Sequence, residues 1–395
     1  MLMTKVVNGY LKKQSHVDFK FDSTSNSLLR LHSFPVYMGC TIEPAENDIH
    51  VDMTWEVNSN TLRVFPVLPS EVIYPFSHND SVGLLWSQHH QSFAKFIVKH
   101  ASGDEVYEIG GAHGMAYIYS KALKEVKWTI HDINPIPVAE YDQRIVKGKF
   151  TNSTYSPAEH THTIVHSHTL EHVNDPVKFM SEITLSQKIG DKQIISVPNM
   201  DLMLQRVDLN FLNFEHNYFI PEKLLLSLFK SCGYQVNETF DFQNHSKFYA
   251  LEKISDQVSL EHFFNQDYLD LPKFYRYFAA IEKYVAEMNQ ILESAQIPTY
   301  IFGAHVFTQM LIGFGLKEDL ISGCIDNSHN KQGKRLYGTS LFVCSPQVLF
   351  ENNEKVNIIG ALANYTYEIE KDLSRWESQI NSIYWFSNGE KLKRF

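Results

Sequence analysis

Cysteine is scarce: four thiols in 395 residues, Cys40, Cys232, Cys324 and Cys344, none close enough to another to form a zinc knuckle. This excludes a disulfide framework and a cysteine-built metal site, and leaves each thiol to be read as a small buried apolar residue. Positive charge is also scarce. Lys plus Arg number 35 against 45 Asp plus Glu, a formal net charge of −10, so the basic field that phosphate backbones require is missing. No apolar run approaches the roughly 20 residues needed to span a bilayer. The opening MLMTKVVNGYLKKQ lacks the apolar core of a secretion signal, and no low-complexity segment occurs. The expectation is a cytoplasmic protein with a small-molecule substrate and neither nucleic acid nor membrane as partner. Hydrophobic residues at 44% and charged residues at 20% are globular proportions.

Three segments are expected. Residues 1–85 alternate apolar and polar positions in DIHVDMTWEV and TLRVFPVL, which reads as a β-rich module. Residues 86–255 open on a helix carrying Leu85, Trp86, His89, Phe93, Phe96 and Ile97 at near-helical spacing, then alternate strands with helices. Residues 256–395 begin with a long helix over 271–294 and continue as a second α/β unit. Strand, glycine turn, helix, strand and acid occur in that order twice, at 105–132 and 299–326. The expected class is therefore α/β: a central Rossmann-like sheet, a β-rich N-terminal module and a C-terminal α/β Rossmann-like domain.

The sharpest chemical signal is VYEIGGAHG at 106–114. Gly110, Gly111 and Gly114 allow a backbone turn that a ligand can approach closely. Asp132, ending the next strand, stands where a carboxylate accepts from ribose hydroxyls. Glu108, inside the first strand, would repel a pyrophosphate but suits the cationic methionine end of S-adenosylmethionine (SAM), which is favoured over a dinucleotide. Histidine is abundant, with 19 copies. In HTHTIVHSHTLEH at 160–172, His160, His162, His166 and His168 would share one face of a strand. No carboxylate or cysteine stands at ligand spacing, so no metal is expected. His168, Glu171 and His172 are placed above the cofactor. Asp175–Pro176 reads as a helix start.

The middle segment resembles a class I SAM-dependent methyltransferase. The whole chain resembles the three-part family of sugar C-methyltransferases that act on nucleotide-linked keto-deoxysugars. The resemblance rests on VIYPFSHNDSVGLLWSQHH at 72–90, VYEIGGAHG, LEHVNDP, NFEHNYF at 213–219, IFGAHVFTQMLIGFG at 301–315, IDNSHNKQG at 325–333, LYGT at 336–339 and ANYTYEI at 363–369. It implies that a base removes a proton beside the sugar ketone and that the enolate takes the methyl group of SAM. His216 is the expected base, with a reference pKa of roughly 6.5 suited to the task. Glu215 would orient it, and Tyr74 and His78 would face the substrate. Gly303, Ala304, His305, Asp326 and Lys331 form the expected nucleotide or diphosphate contact.

Two departures stand out. The family's N-terminal module holds zinc through two cysteine pairs, whereas here only Cys40 precedes residue 232, so a metal-free module is expected. Where the family carries a tyrosine just before Glu-His, this chain has Asn213. Three other readings stay open: an O- or N-methyltransferase on another small molecule, a nicotinamide-dependent sugar oxidoreductase or epimerase, and a non-catalytic binding protein. The sugar, its nucleotide, the methylated atom and the oligomeric state are not legible.

Overall fold

The computed structural model describes residues 17–18, 27–58, 61–73, 83–136, 142–157, 162–259, 270–351 and 354–394. Tyr74, His78 and His160 lie outside the described residues.

The N-terminal alternations form β1 (Val17–Asp18), β2 (Ser27–Pro35), β4 (His50–Asn58) and β5 (Thr61–Phe65), an antiparallel sheet in the order β1-β2-β4-β5. Its inward row, including Val51, Met53, Trp55, Leu62 and Val64, is buried. A sheet with one apolar face needs a cover. Here the cover comes from residues between 200 and 219 and from the C-terminal segment, in one continuous core. Between β2 and β4, β3 (Cys40–Thr41) pairs with Arg335–Leu336 of the C-terminal segment. Asp48 there forms a bidentate pair with Arg335, at 2.6 and 2.8 Å, and both side chains are buried. The module is thus tied down by hydrogen bonds and apolar packing to the C-terminal segment.

The central sheet uses β6 (Glu105–Ile109), β7 (Lys127–Asp132), β8 (Arg144–Lys147), β9 (Thr163–Ser167), β10 (Lys192–Pro198), β11 (Tyr234–Phe242) and β12 (Ser246–Lys253). Their order is β8-β7-β6-β9-β10-β12-β11, parallel from β6 to β10, with β12 antiparallel to β10 and β11 antiparallel to β12. Helix α1 (Leu84–His100) turns Phe93, Phe96 and Ile97 onto one face. Helices α2 (Met115–Lys121), α3 (Pro176–Ser186) and α4 (Glu222–Ser231) complete the layers, with α3 and α4 on the opposite face from α1. The Asp175 carboxylate caps α3 by accepting the Lys178 N–H at 2.9 Å, with Pro176 in the first turn, as the sequence predicts. Strand order reverses between β6 and β9, which opens a crevice at the carboxyl ends of the strands.

Strand β8 and the β11–β12 hairpin were not distinguished by the sequence patterns. The expected histidine strand needs correction as well. Of the three described histidines only His166 lies within β9. His162 precedes it, and His168 follows it at φ +49°, so its ring leaves the face of the sheet.

The long helix α5 (Leu271–Ser294) has the predicted bounds. After it come β13 (Thr299–Phe302), β14 (Gly323–Ile325), β15 (Arg335–Leu336), β16 (Val343–Cys344), β17 (Val356–Gly360), β18 (Ile380–Ser387) and β19 (Glu390–Arg394). All but β15 make a second sheet, ordered β16-β14-β13-β17-β18-β19 and parallel up to β18. Helix α6 (Val306–Gly313) follows the Gly303 turn. No helix among the described residues is long and apolar enough to cross a membrane.

Candidate active site

The crevice of the central sheet opens into a cavity of about 630 Å³, within the range of small-molecule sites. Its floor is the turn after β6. Gly110 has φ +77°, and a Cβ there would lie 2.3 Å from the Thr169 hydroxyl. A Cβ on Gly111 would lie 2.2 Å from the Glu108 carboxyl carbon. Only glycines fit this double approach of backbone to side chain. Asp132 ends β7 on the cavity wall and accepts the Asn134 N–H at 2.6 Å. Burial raises its pKa, an effect moderated by hydrogen bonds from the backbone of Asn134 and Ala112.

Glu108 differs from expectation. Its carboxylate is not displayed to the cavity as a free charge. It is almost fully buried and accepts the Trp128 indole N–H at 2.8 Å. Burial pushes its pKa up to about 8, partly offset by the indole. It is therefore mostly protonated at neutral pH, and a cation above the turn would draw the proton off. Trp128, the residue that holds it, was not among the expected site residues.

Across the cavity two loops bring a second group together. The loop after β9 carries His168, Glu171 and His172, and the loop 213–217 carries Asn213, Glu215 and His216. Asn217 joins them by donating from Nδ2 to the His172 carbonyl at 2.8 Å. Strand β5 clamps the second loop through Val64 N–H to Asn217 O at 3.2 Å and Phe219 N–H to Leu62 O at 2.9 Å. The N-terminal module thus holds the loop bearing His216. The His172 and His216 rings meet edge to face at 4.8 Å. Asn213 Nδ2 lies 3.4 Å from His216 Nε2, and Asn213 Oδ1 accepts the Glu215 N–H at 3.0 Å.

Glu171 is 1% exposed. Its oxygens accept no well-aligned hydrogen bond among the described residues. The nearest donors are His168 Nδ1 at 3.3 Å and His172 Nε2 at 4.0 Å. Burial pushes its pKa up to about 7. Burial, reinforced by His172 and His168, holds the His216 pKa well below the ordinary value, not at it as expected. His168 is held down to about 3 by burial. Ligand atoms of Glu171, His172 and His216 lie within 4.8 Å of one another, a donor set able to hold a metal ion. The fold thus brings a carboxylate to histidines between which the sequence showed none at ligand spacing.

The C-terminal segment closes the cavity with His305, Val306, Phe307, Asn364 and Tyr365. Gly303, Ala304, Asp326 and Lys331 do not line it. Asp326 turns inward, accepting Ala304 N–H at 2.9 Å and Ser328 N–H at 2.8 Å, and Lys331 pairs with it at 3.2 Å. The charges expected on a diphosphate are engaged with each other. Trp86, Asp208 and Asn210 also line the cavity. Trp86 had been read only as part of the packing face of α1, and nothing in local pattern marks Asp208 or Asn210 as site residues.

Residues 85–239 match the family model described as a methyltransferase domain. The central segment is similar to that domain family. The matched stretch spans α1, strands β6 to β10 and part of β11. No curated protein matches the chain by sequence. Among solved structures the chain is similar to an S-adenosylmethionine-dependent methyltransferase from Clostridium acetobutylicum, at 8% identity over 43% of this chain and 92% of that one, TM-score 0.33. It is also similar to a SAM-dependent methyltransferase from Aquifex aeolicus, at 13% identity over 41% and 89%, TM-score 0.34. The mitomycin 7-O-methyltransferase shares 15% identity over 42% of this chain and 54% of that one, TM-score 0.34. The glycine turn with no room for a Cβ, the carboxylate ending β7 and the buried acid Glu108 beneath the turn all line the one cavity.

Proposed function

We propose that the protein methylates a carbon of a nucleotide-linked keto-sugar, in three parts: a metal-free N-terminal module, the methyltransferase domain, and a C-terminal substrate domain. One observation carries the reading. The glycine turn, the His172–His216 pair and residues of the C-terminal segment all face one cavity, so donor, base and a substrate wall share a single enclosed space.

SAM supplies an electrophilic methyl group. Asp132 would hold the ribose, the turn at Gly110 and Gly111 the methionine end, and ionised Glu108 its positive charge. His216, neutral because of its lowered pKa, would take the proton beside the ketone. A buried imidazolium is costly, and the Glu171 carboxylate 4.0 Å from His172 offers compensating negative charge across the ring pair. Glu215 would hold its loop in place. His305 would meet the substrate from the C-terminal side.

The test is exchange. With S-adenosylhomocysteine and a nucleotide-linked keto-sugar in heavy water, wild type should incorporate deuterium beside the ketone and His216→Ala should not. Turnover of the variant should fall by about 10²–10⁴, the usual range for a lost general base, with affinity for SAM unchanged. Because the His216 pKa is lowered, the acid limb of kcat/KM should lie below pH 6.5. Exchange by the variant at the wild-type rate would remove His216 from the mechanism. Methylation without exchange would instead favour transfer to oxygen.

A further inference from the structure

Opposite the glycine turn, the cavity wall carries polar groups that the donor does not need. Asp208 is 5% exposed, and its carboxylate accepts no hydrogen bond among the described residues. Its nearest charged neighbour is Arg206, at 3.7 Å. Asn210 Oδ1 is buried without a partner. Asn364, reaching in from the C-terminal segment, makes no side-chain hydrogen bond among the described residues, and all three line the cavity.

Their placement is specific. Asp208 precedes the 3-10 helix Leu209–Leu212, and Asn213 ends it. Residues three apart on such a helix lie on the same side, about 6 Å along its axis. Asn210 is therefore one turn from Asn213, whose amide lies 3.4 Å from His216 Nε2. That spacing is about the width of a sugar ring. A buried carbonyl oxygen lacking a donor, as at Asn210, is costly unless a ligand supplies one, and the Asp208 carboxylate, paired only with Arg206 at 3.7 Å, lines the same cavity.

We propose that Asp208 and Asn210, faced by Asn364, form a recognition subsite for a hydrogen-bond-donating substituent, hydroxyl or amino, on the sugar ring whose carbon is methylated. This rests on the keto-sugar reading and deepens it. A ring bearing hydrogen at that place would leave Asp208 and Asn210 unpaired and be rejected, so the subsite selects the substrate and fixes which ring carbon faces His216.

The experiment is calorimetric titration of the protein saturated with S-adenosylhomocysteine. The probes are 4-keto-6-deoxyhexoses linked in turn to thymidine, uridine, cytidine, guanosine and adenosine diphosphate, bearing hydroxyl, amino or hydrogen at ring carbons 2 and 3. Wild type should bind the deoxy compound at one of these carbons about tenfold to a hundredfold more weakly than its hydroxyl or amino counterpart. The difference should shrink to less than threefold in Asp208→Asn and in Asn210→Ala. A preference for amino over hydroxyl identifies a cationic substituent, the reverse a neutral one, and either supports the subsite. Asp208→Asn keeps the side-chain shape and gives up only the pair with Arg206 at 3.7 Å, so its thermal stability should stay close to wild type. A variant that loses sugar binding by unfolding would assign Asp208 to structure and overturn the proposal. Equal binding of deoxy and substituted sugars by wild type would overturn the subsite and leave the keto-sugar reading standing. No binding by any probe would overturn both.

Discussion

Replacing Gly110 by alanine tests how the donor cradle is built. At φ +77° an L-residue is strained, by about 1–2 kcal/mol. The added Cβ would also lie 2.3 Å from Thr169 Oγ1, 2.9 Å from its Cγ2 and 3.2 Å from its Cβ. Thr169 must therefore rotate, and its hydroxyl loses the carbonyls of Ile109 at 3.3 Å and Ser167 at 3.2 Å, worth about 0.5–1.5 kcal/mol. Gly110→Ala should cost about 2–3 kcal/mol in urea unfolding and weaken S-adenosylhomocysteine in calorimetry. Thr169→Ala alone should cost about 1 kcal/mol. The double variant removes the overlapping Oγ1 and Cγ2, leaves the residue-169 Cβ at 3.2 Å and counts the lost hydroxyl bonds once instead of twice, so it should be more stable than the two single costs predict by about 1 kcal/mol. Residues in contact couple on this scale, whereas independent sites add to within about 0.3–0.5 kcal/mol. Additivity within that margin would refute the claim that Thr169 is what forbids a side chain at Gly110.

Three further outcomes are expected. Because the Glu108 pKa is raised to about 8, SAM affinity should rise as pH increases through 8 with release of a proton. The stability this acid contributes to the ligand-free protein should be present at low pH and lost over the same rise. Glu108→Gln should bind with a flat pH profile, and calorimetry in buffers of differing ionisation enthalpy reads both effects. Arg335→Ala leaves Asp48, 1% exposed in its side chain, charged and largely unpaired, and should cost about 3–5 kcal/mol in denaturant unfolding. An effect below 1 kcal/mol would mean that the N-terminal sheet is held by apolar packing alone. Elemental analysis of protein purified without metal-affinity resin should find clearly less than one zinc per chain, while one tightly held equivalent would make Glu171, His172 and His216 a metal centre.

Local pattern was enough for the elements and the donor edge. The period of α5, the Asp175–Pro176 start of α3, the apolar run of β6 and the glycines after it depend on interactions within a few residues, which the sequence states directly. Asp132 could be placed for the same reason, as the acid that ends the next strand. The β11–β12 hairpin is not marked in the sequence because its Gln243–Asn244 turn, both residues at positive φ, carries no glycine. Contacts between distant segments were out of reach. Lys331 looked available for a phosphate until folding set it 3.2 Å from Asp326. Glu171 could be placed in the loop above the glycine turn, but the burial that raises its pKa could not be read locally. Asp208 and Asn210 carry no motif and acquire meaning only from the cavity they face. The sequence by itself determined the α/β class and the glycine turn, since these follow from periodicity and backbone sterics. The closing of the cavity by the C-terminal segment, the clamp of β5 on the His216 loop and every shifted pKa were decided by tertiary structure, because desolvation and pairing depend on which distant residues arrive.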